Sequence, residues 1–151
     1  MALIGTLGAG KTQLCRAIAE GLGIADSNVV NSPTYVLIQE YDARLPIYHF
    51  DAYRLATEND FADLGVHEYF RDSGVCLVEW ADKVPTCMPA EQLEICITII
   101  GETSRRLELT PRGERYAAVA RLVALDLDRE TKPSIDRNPM QPNAPPENEG
   151  L

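Results

Sequence analysis

Apolar residues fall in short runs broken by polar turns, and the spacing within each run changes along the chain. Met1-Ala2-Leu3-Ile4 is a brief strand-like run that leads straight into a glycine-rich turn. Leu14, Ala17, Ile18, Gly21 and Leu22 recur at helical spacing and predict a helix over Lys11–Leu22, stopped by Gly23. Ala25–Val30 reads as loop, and Asn31-Ser32-Pro33-Thr34 as a turn, because Pro33 fixes its own φ and biases Ser32 toward extended geometry. Tyr35–Tyr41 and Ile47–Asp51 read as two strands of a hairpin across the turn Asp42–Pro46. Thr57, with Asp60 three residues on, predicts the cap of a short helix that turns Phe61 and Leu64 to the core. Gly65 breaks that helix, and Val66–Phe70 gives one more helical turn.

Val75-Cys76-Leu77-Val78 is continuously apolar and ends in Glu79-Trp80, as suits a parallel strand buried on both faces. Leu93–Ile100 alternates with period 2, Gly101–Ser104 is a loop of hairpin length, and Arg105–Leu109 continues as a strand. Thr110-Pro111 predicts the start of a last helix, with proline at its tolerated first position. Tyr116, Val119, Ala120, Leu122, Val123 and Leu127 would form its apolar face. Residues 1–129 thus read as one domain. Half of the ten prolines fall between Lys132 and Leu151, with Ile135, Met140 and Leu151 as the sole large apolar residues there, so 130–151 is expected to be a disordered tail. Four residues make a short central strand, and the pattern predicts that an N-terminal strand or helix belongs in front of it.

Composition narrows the classes. A chain of 151 residues with 45% hydrophobic content suits one domain with its own core. No run approaches the ~20 apolar residues of a membrane span, and no signal peptide is visible, so a cytoplasmic protein is expected. Cys15, Cys76, Cys87 and Cys96 form no C-x-x-C pair, which predicts reduced thiols, with Cys76 and Cys96 as small core residues. His49 and His67 stand apart in the chain and predict no histidine–cysteine metal site. A net charge of −9 argues against a dominant electrostatic grip on nucleic acid.

The chemistry begins at Gly5-Thr6-Leu7-Gly8-Ala9-Gly10-Lys11-Thr12, which fits G-x-x-x-x-G-K-[ST]. Glycines let backbone N–H groups approach phosphate oxygens, and the following helix directs its positive dipole end at the same anion. Lys11 can reach the β/γ phosphates and the Thr12 hydroxyl can ligate Mg²⁺. Such a loop also needs a carboxylate at the end of a neighbouring strand. Asp51 and Glu79 both end strands, and the carboxyl ends of strands border the ligand crevice of an open α/β sheet. Thr34 stands where a switch-like threonine could sense the γ-phosphate, or is simply a turn residue. Tyr35, Tyr48 and Trp80 read as packing residues, with Trp80 closest to the crevice mouth. Arg105 and Arg106 begin a late strand, where an arginine could reach a nucleotide or partner, though a solvated strand end is the reading preferred.

Taken in order, the loop Gly5–Thr12 and the blocks Ser32-Pro33-Thr34-Tyr35, His49-Phe50-Asp51-Ala52-Tyr53-Arg54-Leu55 and Val78-Glu79-Trp80-Ala81 resemble the TsaE (YjeE) family, from about Ile4 to Gly113. That resemblance implies a three-layer α/β fold of the P-loop NTPase type, with a mixed, mainly parallel sheet. It implies a small ATPase needed to form threonylcarbamoyladenosine at adenosine 37 of tRNAs reading codons that begin with A. It names TsaD and TsaB as protein partners, through which the tRNA would be met indirectly, with no membrane involved. Carried over by position, Leu7, Gly8, Ala9, Gly10, Lys11 and Thr12 would bind ATP. Thr12 and Glu79 would bind Mg²⁺, Asp51 would be the Walker-B-like acid, and Thr34 the switch-like residue. Family members usually carry a longer segment before the loop, some of it near the adenine, and the Pro-rich tail has no counterpart. Two other readings compete. A small P-loop kinase would need a lid with phosphate-clamping arginines, and no Arg-rich insertion separates the blocks. A GTP switch acting through protein partners would need an [NT]-K-x-D segment, and Thr131-Lys132-Pro133-Ser134 lacks the aspartate.

Overall fold

The structure, a computed structural model, describes residues 1–131. Six strands form one sheet: β1 (Ala2–Ile4), β2 (Ile38–Tyr41), β3 (Ile47–Asp51), β4 (Val75–Glu79), β5 (Gln92–Ile99) and β6 (Arg105–Arg112). Their order across the sheet is β2-β3-β4-β1-β5-β6. The four inner strands β3, β4, β1 and β5 run parallel, and β2 and β6 each close an edge antiparallel to its neighbour. Helix α1 (Lys11–Gly21) follows β1, α2 (Glu58–Ala62) and α3 (Val66–Arg71) follow β3, and α4 (Glu114–Thr131) follows β6.

Period-2 alternation sorts the strand residues onto two faces, each with its own core. Leu3, Ile47, Leu77 and Ile95 face one way and pack against Cys15 and Ala19 of α1. Ala2, Tyr48, Phe50 and Val78 face the other way and pack against Phe61 of α2 and Val66 of α3. Helix, sheet and helix therefore make the three layers expected. Leu77 and Val78 are both fully buried, one in each core, as the continuous apolar run of β4 required. Phe50 is the hub of the second core, with Phe61, Tyr69 and Phe70 ring centroids at 5.8, 5.4 and 6.2 Å. The Thr57 capping box forms as read, with Thr57 Oγ1 accepting from Asp60 N and Asp60 accepting in return from Thr57 N. Among the described residues no helix is long and apolar enough to cross a membrane.

Several boundaries differ from the sequence reading. β2 begins at Ile38, because Tyr35–Leu37 turn and Leu37 adopts a left-handed φ of 68°. β6 runs on through Thr110 and Pro111 to Arg112, so these residues do not open α4; Pro111 pairs with Leu93 on the outermost strand, an edge position where a sheet tolerates proline. β1 is short, yet it pairs with β4 on one side and β5 on the other. Cys15 and Cys87 are the buried thiols, while Cys76 and Cys96 are half-buried. Among the described residues of α4, Tyr116 joins the core, and Leu122, Leu125 and Leu127 are exposed. The tail expected to be disordered lies, from residue 132, outside the described residues.

Truncation at the aromatic hub measures how far the second core carries the fold. Phe50→Ala should cost about 3–5 kcal/mol, read as a lower urea midpoint with an unchanged slope. A loss below 1 kcal/mol would mean that the cluster is loosely packed.

Candidate functional site

Strand alternation aims the chemistry. Ile47, His49 and Asp51 share the α1 face of β3, and Val75, Leu77 and Glu79 share the α1 face of β4. Asp51 and Glu79 are register partners at the carboxyl ends of these adjacent strands. The loop between β1 and α1 ends beside them. No side chain caps the N-terminus of α1, so its first N–H groups stay open toward the loop. Gly8 and Gly10 take φ of 76° and 109°, which L-residues rarely adopt. Gly5 passes so close to β5 that an added Cβ would lie 2.7 Å from the Ile97 carbonyl oxygen. Arg105 fixes the loop from below: its Nε donates to the Ala9 carbonyl at 3.1 Å and its Nη1 to Gly101 and Ser104 carbonyls. It is thus a clamp on the loop rather than the solvated residue expected.

A cavity of about 460 Å³ opens over this arrangement. Leu7, Gly8, Gly10, Lys11, Thr12, Thr34, Asp51 and Glu79 all line it, so the residues singled out in the sequence converge on one place. Ala9 is the exception, fully buried beneath the loop. Ser32, Tyr35, Tyr53, Arg54 and Trp80 complete the lining. A second cavity of about 590 Å³, near Pro85, Met88 and Arg112, contains none of the loop residues.

Three contact sets organise the polar side chains. Lys11 is buried; its Nζ donates to the Gly5 and Thr6 carbonyls at 2.7 and 3.0 Å and lies 3.6 Å from the centre of the Trp80 ring. Burial lowers its pKa, against the opposing pull of Glu79 and Asp51. Trp80 reaches this position through a left-handed φ of 59°, directly after the strand-end acid, with its ring 4.9 Å from that of Tyr53. Asp51 forms the second set. Its Oδ2 accepts from Ser32 Oγ and from Thr34 Oγ1, the latter at 2.6 Å, and its Oδ1 accepts from Tyr53 N. The Asp51 backbone N–H also donates to the Leu37 carbonyl, so the whole Ser32–Leu37 turn is tied to the end of β3.

Glu79 is the centre of the third set. Its Oε1 accepts from Thr12 Oγ1 at 2.8 Å, lies 2.9 Å from His49 Nε2, and meets Cys15 Sγ at 4.0 Å. Thr12 and Cys15 stand one helical turn apart on α1 and so reach the same oxygen. The sequence reading found no link between histidine and cysteine, yet folding places Cys15, His49 and Glu79 ligand atoms within 4.8 Å of one another. Burial first, then the Glu79 charge, raise the Cys15 pKa well above its usual value. Without a cation the thiol, the imidazole and the Thr12 hydroxyl all turn to one carboxylate oxygen, so the set stands as a hydrogen-bonded cluster. The hydroxyl of Thr12 and the carboxylate of Glu79 are hard oxygen donors, the kind Mg²⁺ takes. Thr34 resolves as a ligand of Asp51, not a free turn residue. Tyr35, read as packing, is 82% exposed at the cavity rim, with the Arg54 guanidinium 4.2 Å from its ring centre. His49 and Arg54 were missed as site residues; a histidine in an inward position of an apolar strand was the available signal.

Comparison with known proteins supports the resemblance seen in the blocks. The family model for the threonylcarbamoyl adenosine biosynthesis protein TsaE matches residues 1–107. The tRNA threonylcarbamoyladenosine biosynthesis protein TsaE of Bacillus subtilis (strain 168) is 48% identical over 117 residues, which is 77% of this chain and 72% of that protein. The protein of the same name from Treponema pallidum (strain Nichols) is 38% identical over 105 residues, 70% of this chain and 76% of its own length. A crystal structure of Bacillus subtilis YdiB superposes with a TM-score of 0.70 at 40% identity, covering 83% of this chain and 76% of that one. With the loop, the paired strand-end acids and the three-layer fold all in place, the chain belongs to the TsaE family of tRNA threonylcarbamoyladenosine biosynthesis.

Proposed function

We propose that the chain is a Mg²⁺-dependent ATPase, the energy-coupling component of the cytoplasmic machinery that forms threonylcarbamoyladenosine at adenosine 37 of tRNAs reading codons that begin with A. The observation that carries this reading is the Thr12–Glu79 hydrogen bond at the mouth of an uncapped helix and a left-handed glycine loop. Backbone N–H groups and Lys11 would hold the β and γ phosphates. Thr12 and Glu79 would hold Mg²⁺, which when bound supplies charge neutralisation between the phosphates. Lys11 already sits in the cavity, and its two carbonyl contacts give it a fixed orientation to exchange for phosphate oxygens. Asp51, the second acid, keeps Thr34 Oγ1 at the cavity edge, where it would meet the γ-phosphate and the attacking water. On the other flank of the loop, an open apolar cavity of about 490 Å³, bordered by Ala9, Gln13, Leu14, Ile97 and Leu107, suits the base and ribose.

The rim supports a dependence on partners. Leu7, Tyr35, Val36 and Tyr53 are exposed around the cavity mouth, an apolar collar that favours a protein partner over bulk water. Arg54 is held against Tyr35 in this collar. Homologues of TsaD and TsaB are the partners the family points to, and they would present the tRNA. A partner covering Tyr35 would free Arg54 for the developing phosphate charge. The kinase alternative has less support, because Arg54 is the sole arginine lining the cavity among the described residues and it stacks on Tyr35.

Lys11→Ala should weaken ATP binding roughly 10–100-fold, the worth of a charge-assisted contact to phosphate. Calorimetric titration with unchanged affinity would remove the phosphate-loop assignment. Glu79→Gln keeps the side-chain shape and removes the anion. It should fold, bind ADP in the absence of metal as the parent does, and lose most Mg²⁺-dependent hydrolysis; parental hydrolysis across a magnesium titration would exclude Glu79 as a ligand. Phosphate release by the isolated chain should be slow and should rise when the TsaD–TsaB complex is added, with modified nucleoside accumulating in tRNA over several turnovers. Fast hydrolysis indifferent to partners, with no effect on tRNA, would overturn the proposed role.

A further inference from the structure

Glu79 offers two oxygens, and the structure uses only one. Thr12, His49 and Cys15 all converge on Oε1, whereas Oε2 makes no hydrogen bond among the described residues, although Glu79 borders the cavity. His49 is fully buried in β3, opposite Leu77 of β4. A carboxylate only accepts, so with an ionised Glu79 it is Nε2 that carries the proton and donates. In the neutral ring that leaves Nδ1 as the bare nitrogen, and it is buried with no partner among the described residues. An unpaired buried acceptor is costly, and a leucine in this slot would escape the cost altogether. The imidazole therefore brings no evident gain in stability except through its single bond to Glu79.

We propose that His49 is a positioning residue for the metal. Its Nε2–H pins Oε1, which fixes the carboxylate's rotation and presents Oε2 to the cation held beside Thr12. Cys15 is too distant a donor, at 4.0 Å, to fix the rotation by itself. Thr12 can offer a lone pair to the cation and still donate its O–H to Oε1, but a single donor leaves the carboxylate free to turn about that bond, and the second fixed donor is His49. The inference rests on the nucleotide and magnesium reading above and adds to it the group that orders the ligand. Partners that orient a ligating carboxylate are worth roughly 10–100-fold in metal affinity.

The test compares His49→Gln with His49→Asn. A glutamine amide reaches the place of Nε2 and can donate there; an asparagine amide reaches only the place of Nδ1. The two are otherwise alike in polarity and burial, so a merely structural role would treat them alike. Mn²⁺ uptake by the ADP-loaded chain is followed by electron paramagnetic resonance, and metal-free ADP affinity by calorimetry. The Gln variant should hold Mn²⁺ within a few-fold of the parent, and the Asn variant should lose about 10–100-fold, with metal-free ADP affinity unchanged in both. Equal Mn²⁺ affinities in Gln, Asn and parental chains would overturn the role of His49 and leave the proposed function standing. A parental chain that binds neither ADP nor ADP with Mn²⁺ would overturn the proposed function and this inference together. Should Asn impair folding, Gln alone still decides, since a full loss of Mn²⁺ uptake despite a retained donor contradicts the proposal.

Discussion

A carboxylate taken out of water has to be matched by donors, and the cavity is arranged around meeting that demand at Glu79. The acid stands at the end of a strand flanked on both sides by parallel neighbours. Little solvent reaches it, so its charge is held by Thr12 and His49, with Cys15 at longer range. Those donors come from α1 and β3. One side chain thereby joins the loop helix to the sheet, and the phosphate loop cannot shift without disturbing the buried acid. Lys11 and Trp80 reinforce the same junction from the cavity side.

The second acid does a different job with the same chemistry. Asp51 is as deeply buried as Glu79, but its donors are the hydroxyls of one turn, Ser32 and Thr34, together with the Tyr53 N–H. Glu79 couples the loop to the core, whereas Asp51 couples a surface turn to the core. The left-handed backbones at Trp80 and Leu37 mark the two places where the chain pays in strain to complete these couplings. Each follows or precedes a strand by a single residue, so each redirects the chain where the crevice opens.

Much of this was legible in the sequence because it depends on local rules. Continuous apolar text gave β4, glycine spacing gave the loop, and a threonine three residues before an aspartate gave the α2 cap. The fold reading failed where a tertiary contact overrode the local pattern. Tyr35 and Val36 look like strand residues, yet the hydroxyls just before them are drawn to Asp51 and the backbone turns at Leu37. Pro111 looks like a helix start, yet an edge position lets the strand absorb it. At the site, the residue types were readable but not their pairing. That His49 meets Glu79 rather than water depends on the register of β3 against β4, which no spacing along the chain records.

The edges of the sheet bear on how the protein is met by others. The inner strands are paired on both sides, so among the described residues the open edges of the sheet are β2 and β6. β2 is four residues long. β6 carries Arg105, Arg106, Glu108 and Arg112, and Pro111 withholds an N–H from its ladder. Neither edge is a good template for strand addition, so a partner gains little by extending the sheet. Any recognition by side chains is thereby left to the crevice rim, the surface that borders the loop cavity.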